Sequence, residues 1–161
     1  RQMCIRDSSE YHNLLLLYPQ NVDFEEVQAR QFDIATRFLS GQRYKLWGRI
    51  PLYRSMSKTT AMFQNIVNIG PFSSVAPEAQ MNIGQAWVKK ARGFQISQNE
   101  RHKNYRHAVE AFSKVADKYH DRPEIAAEGL FAAAAAYQRQ IQRLRARNAE
   151  LLERERHRRG A

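Results

Sequence analysis

The sequence predicts an all-α chain in which pairs of helices stack on one another as an α-solenoid, closed by a long basic helix. Three observations predict it. First, an apolar residue followed by a small one, with an aromatic three residues on, occurs as Ile34-Ala35-Phe38, Ile83-Gly84-Trp87 and Ala133-Ala134-Tyr137, with the small positions 49 and 50 residues apart. Second, another helical pattern lies between these copies: Tyr11 with Leu14, Phe63 with Ile66, Phe112 with Val115, the aromatics 52 and 49 apart. Self-similarity at one period of this size is the mark of a repeat array. Third, β-branched alternation is nearly absent, so a sheet has little support. The repeat also moves the functional expectation away from catalysis and toward binding.

Each element follows in order. Tyr11 to Tyr18 reads as the end of a helix, with a turn at Pro19-Gln20-Asn21. The next helix spans about Phe24 to Ser40. Asp23 suits its N-cap, and Glu25 and Glu26 suit the positive end of the helix dipole. Gly41 ends it. Gln42 to Arg54 is a basic, aromatic connector containing Gly48 and Pro51. A helix from about Ser55 to Asn68 turns its Met56, Phe63, Ile66 and Val67 inward and stops at Gly70-Pro71. Pro77 opens the next, to about Ala91. A polar connector, Arg92 to Lys103, leads to a helix from about Asn104 to Tyr119. The last helix starts near Pro123 and runs to about Arg156, with Gly129 as an internal weak point. No pair can bury its apolar faces alone, so the stack is expected to share one core. The repeat domain is placed at 9–138 and the basic extension at 139–161.

The chain has 161 residues, enough for one domain. At 43% apolar and 26% charged it belongs with globular chains, not with disordered or membrane ones. The sequence opens without methionine, and no signal peptide is expected within it. The stretch Arg1-Gln2-Met3-Cys4-Ile5-Arg6-Asp7-Ser8 resembles a translated sequencing-adapter remnant, so residues 1–8 are set aside as a non-native leader. That segment holds the one cysteine, which excludes an internal disulfide. This fits either the cytoplasm or a periplasmic protein that relies on packing.

Candidate chemistry is sparse. His12, His102, His107, His120 and His157 fall in no metal-ligand motif, and no phosphate loop or nucleophile motif is present. No enzymatic activity, metal or cofactor is expected. Phe38, Trp87 and Tyr137 recur with the repeat and are expected in the core. Tyr44 and Trp47 stand outside the pattern in the basic connector. Packing across the neighbouring pair is their first reading and partner contact the second.

The net charge is +10. Between Arg139 and Arg159, eight arginines face only Glu150, Glu153 and Glu155, so half of the excess lies on the last helix. Arg143, Arg147, Arg154 and Arg158 form a basic patch there. Glu150 and Arg154 stand in the favourable order for a helical ion pair. Ile141, Leu144 and Leu151 leave a thin apolar seam, too short to specify a coiled coil. The patch reads first as a solvated face. The functional readings are an acidic protein, anionic lipid headgroups or nucleic acid. Against nucleic acid, no aromatic residue is interleaved among these arginines and no recognition module is visible.

The segment Ala79 to Trp87 is similar to the first helix of a tetratricopeptide repeat, and Tyr105-Arg106-His107-Ala108-Val109-Glu110-Ala111-Phe112 to its second helix. The family's small packing residue corresponds to Ala35, Gly84 and Ala134. The family's repeat is about 34 residues, and the connectors here are longer. Long connectors, and second helices ending near Tyr-Pro, resemble the periplasmic branch around the outer-membrane β-barrel assembly lipoproteins of the BamD type. The cell-division coordinators associated with Tol-Pal share much of the pattern. The BamD resemblance implies a non-enzymatic, periplasmic scaffold at the outer membrane, joined to the membrane only through an N-terminal lipid anchor. It would dock the barrel-forming assembly protein. It also implies a concave surface lined by the first helix of each pair, which places Thr36, Gln85, Lys89 and Arg139 in a protein-binding groove, with Ser40 and Ala135 at equivalent positions.

Overall fold

A computed structural model of the chain describes residues 5–18, 20–42, 45–46, 50–51 and 55–160. It is all-α: α1 (Ile5–Leu17), α2 (Phe24–Ser40), α3 (Met56–Ile69), α4 (Ala76–Ala91), α5 (Gln98–Lys118) and α6 (Pro123–Gly160). Two short segments interrupt the connector between α2 and α3. β1 (Lys45–Leu46) pairs antiparallel with β2 (Ile50–Pro51), Lys45 opposite Pro51 and Leu46 opposite Ile50.

The helix ends follow from local chemistry. Asp23 accepts the Glu26 amide at 3.1 Å, satisfying one of the first-turn donors that have no helical acceptor. Gly41 closes α2 at φ 116°, a left-handed conformation that costs a residue with a Cβ. Ser55 accepts the Lys58 amide at 3.3 Å. The sequence reading starts α5 near Asn104, but the helix begins two turns earlier. Ser97 accepts the Glu100 amide at 3.2 Å, and the Glu100 carboxylate takes the Ser97 amide at 3.4 Å, a reciprocal capping box. Gln98 to Lys103 lack apolar periodicity because this end of α5 is largely exposed, so the hydrophobic pattern gives no sign of it. α1 likewise extends back to Ile5, into the segment that the sequence reading set apart, since no glycine or proline interrupts Ile5 to Leu17.

Each helix packs on the next in the chain, and α2 and α6 also touch α4. Successive helices from α2 onward run antiparallel. Gly70 at the end of α3 lies against Phe24 and Gln28 at the start of α2. Lys90 at the end of α4 donates to Ser57 at the start of α3 at 2.9 Å. Gln140 of α6 sits 2.8 Å from His102 near the start of α5. α2 and α4 therefore run parallel, and Lys89 near the end of α4 donates to the Leu39 carbonyl near the end of α2 at 2.7 Å.

The core lies in two clusters. One joins Ile34, Ala35, Phe38, Phe63, Ile66 and Ile83 across α2, α3 and α4. The other joins Met81, Tyr105, Phe112, Val115 and Ala133 across α4, α5 and α6. Trp87, half-buried, packs against both.

Close approach of α4 and α5 depends on Gly84. A Cβ there would meet the Phe112 ring at 2.4 Å, far inside van der Waals contact. The third copy of the repeat pattern departs from expectation. Ala133 is buried, but Ala134 and Tyr137 are exposed. α6 packs mainly on α5, and no further described helix covers its other face. The close contact belongs instead to Gly129, where a Cβ would lie 2.8 Å from Val115 Cβ and 2.9 Å from the Phe112 carbonyl oxygen. The glycine that weakens α6 as a sequence thus lets it approach α5.

Candidate functional site

The expected groove residues lie on α2, α4 and α6. Thr36 is half-buried, and its hydroxyl is buried without a hydrogen-bond partner among the described residues. Gln85 and Arg139 are exposed. Lys89 is also exposed, but its ammonium donates to the Leu39 carbonyl in a partly buried contact. A cation at that place compensates the negative end of α2 as well as any partner. Lys89 thus brings α4 to α2, while no hydrogen bond or ion pair joins Gln85 to Arg139 among the described residues. Tyr44 and Trp47 lie outside the described residues.

Three buried glutamines, Gln28, Gln31 and Gln80, were not legible as functional or structural residues. Gln31 of α2 and Gln80 of α4 are 49 residues apart, the period of the repeat, and each is 2% exposed. Gln80 donates to the Ala111 carbonyl of α5 at 3.0 Å. Gln28, fully buried, donates to the Ile66 carbonyl of α3 at 3.3 Å and accepts from the Ser73 hydroxyl at 2.8 Å. The paired amides of Gln80 and Gln28 fix how one helix of a pair seats on the other, because an unpaired amide in the core is costly, whereas Gln31 Oε1 is buried without a hydrogen-bond partner among the described residues. The sequence signal was the recurrence of Gln31 and Gln80 at the repeat spacing.

His12 Nδ1 is buried without a hydrogen-bond partner among the described residues, whereas His102, His107 and His120 have ordinary partners. His107 stacks at 4.7 Å on Trp87, over which Lys90 also lies, and its Nδ1 is 3.4 Å from Glu110. His120 Nδ1 is 3.2 Å from the Asp117 carbonyl oxygen. Among the described residues no group of three or more His, Cys, Asp or Glu is placed to hold a metal ion. No helix among them is long and apolar enough to cross a membrane.

A concavity lies elsewhere, between the first half of α5 and the middle of α6. A cavity of about 470 Å³ is bounded by Arg101, His102 and Arg106 on one side and by Gln140, Arg143 and Arg147 on the other. A second, of about 430 Å³, continues it along α6 past Leu151 to Arg154. Arg143, Arg147, Arg154 and Arg158 are spaced four, eleven and fifteen residues apart and so share one helix face. The first three line this trough, and Arg158 lies exposed beyond it. The Glu150–Arg154 ion pair expected from spacing is not made within 4 Å. Both side chains are exposed, where such a pair gains little over solvation.

Compared with protein-family models, curated proteins and solved structures, the chain matches none of them.

Proposed function

We propose that the chain is a non-enzymatic scaffold that binds proteins, a tetratricopeptide-like solenoid serving assembly of β-barrel proteins at the bacterial outer membrane. One observation carries the scaffold reading: α2 and α4, whose sequences repeat, run side by side in the same direction and are tied by Lys89 to Leu39. Parallel first helices with their small residues buried present their remaining side chains on a common surface, as repeat proteins do when they bind partners. Gln85 is exposed, and on this reading it belongs to that surface. The outer-membrane assignment rests on the resemblance of Tyr11 to Pro19 and Tyr105 to Tyr137 to the BamD-type branch. Adaptors of the Tol-Pal cell-division type share the same support.

The test is a pull-down from an envelope extract and from a whole lysate, each with and without nuclease. Wild type is compared with a Gln85→Ala/Arg139→Ala variant, which leaves the Lys89 tie intact. The expected result is a nuclease-resistant protein partner enriched from the envelope and depleted in the variant. If every captured species disappears with nuclease and the variant behaves as wild type, the chain is a nucleic-acid-binding module and the scaffold reading is wrong.

A further inference from the structure

We infer that the trough between α5 and α6 is a second docking site, one that takes an acidic, amphipathic helical segment of a protein partner. The inference rests on the reading of the chain as a protein-binding scaffold and names the chemistry of one partner element. Charge complementarity argues for it first. Arg101, whose guanidinium also donates to the Gly93 carbonyl at 3.4 Å, Lys103 and Arg106 on α5 line the first cavity together with Arg143 and Arg147 on α6, Arg154 lines its continuation, and Glu150 is the one carboxylate lining the trough. Of the six cations only Arg106 has an ion-pair partner among the described residues, Glu110 at 3.7 Å. Like charges brought together across a concave surface repel one another, and an anionic occupant relieves that repulsion.

The apolar groups say what kind of anion. Leu144 and Leu151, both nearly half exposed, lie seven residues apart inside the trough. Gln140, Leu144, Arg147, Leu151 and Arg154 are spaced by four, three, four and three residues, the seam that a facing helix reads. The Gln140–His102 contact closes the trough at one end. From there to Arg154 it runs roughly 21 Å, the length of about 14 helical residues. A nucleic-acid backbone gains nothing from two exposed leucines, whereas an amphipathic helix buries its own apolar stripe on them and sets its acids against the flanking arginines. The thin seam and the basic patch, each unremarkable on an isolated helix, become one surface because α5 stands beside α6.

The test uses the purified full chain and a fluorescein-labelled synthetic helix of about 15 residues, with leucines at i, i+3/i+4 and i+7 and glutamates flanking them. Controls are a scrambled peptide of the same composition and a duplex DNA competitor. Arg143 and Arg147 are exposed, so Arg143→Glu/Arg147→Glu leaves the core intact, which circular dichroism verifies. Saturable binding is expected by fluorescence anisotropy. It should weaken about tenfold or more in the charge-reversal variant, and about fivefold in Leu144→Gln/Leu151→Gln and with the scrambled peptide. Unchanged affinity in the charge-reversal variant overturns the proposal. So does equal affinity for the scrambled peptide together with full displacement by DNA, which marks a generic polyanion surface. No binding by wild type overturns the trough alone and leaves the scaffold reading to the pull-down.

Discussion

Gly84 of α4 lies face to face with Phe112 of α5, so close that a Cβ on residue 84 would stand 2.4 Å from Phe112 Cε1 and 2.5 Å from Cδ1. The ring is itself buried at 4% exposure and cannot swing away without disturbing the second core cluster. Gly84→Leu is therefore expected to destabilise the fold by about 1–3 kcal/mol through overpacking. Gly84→Ala should also lower Tm, although alanine is the better helix former by about 1 kcal/mol. Thermal denaturation checks both. An unchanged Tm for the leucine variant would remove the contact, and with it the alignment of the repeat.

The amide of Gln80 is expected to act as a donor to the Ala111 carbonyl. Gln80→Leu keeps much of the volume and loses that hydrogen bond, a cost of about 1 kcal/mol. Gln80→Glu is expected to cost more at pH 7, since it sets a buried carboxylate against a carbonyl oxygen. Urea denaturation of the two variants decides it. A glutamate variant as stable as the leucine one would show that the side chain does not donate there.

Lys89 is expected to contribute to the fold as well as to the groove. Lys89→Met keeps the aliphatic stem and removes the charge from the end of α2, at a cost of about 0.3–1 kcal/mol. For a chain of this size that lowers Tm by roughly 1–4 °C. The difference from wild type should shrink in 1 M salt, where the Debye length falls to about 3 Å. A difference that is zero at low salt would contradict the role of the Leu39 contact.

Burial raises the Tyr119 hydroxyl above its ordinary pKa of 10.0, only partly opposed by Arg122. The folded chain then holds this proton more tightly than the unfolded chain does. Stability from it is complete below about pH 10 and is lost as pH climbs through the raised value. The hydroxyl is buried without a hydrogen-bond partner among the described residues, so Tyr119→Phe should leave stability at pH 7 unchanged or slightly raised. The same variant should unfold less steeply above pH 10. Chemical denaturation from pH 8 to 11 tests this, and an identical alkaline decline in both proteins would count against it.

The sequence by itself determined the helices and the period. Asp23, Gly41 and Ser55 set their helix boundaries through short-range hydrogen bonds or a single backbone angle, and Phe38, Phe63 and Phe112 declared their inward faces by spacing alone. Such features act within one or two turns, so they are written locally. The tertiary structure decided what depends on which helix has a neighbour. Tyr137 carries the same pattern as Phe38 yet remains 55% exposed, because burial is a property of two surfaces and α6 meets a partner on only part of its circumference. For the same reason Gly129, a blemish in a helical sequence, became the contact that seats α6 on α5, and Lys89 gave its ammonium to a carbonyl fifty residues away. The arginines of α6 were legible as charge. That they face Arg101, Lys103 and Arg106 across a trough was not, since only the packing of α5 against α6 places those two charged faces together.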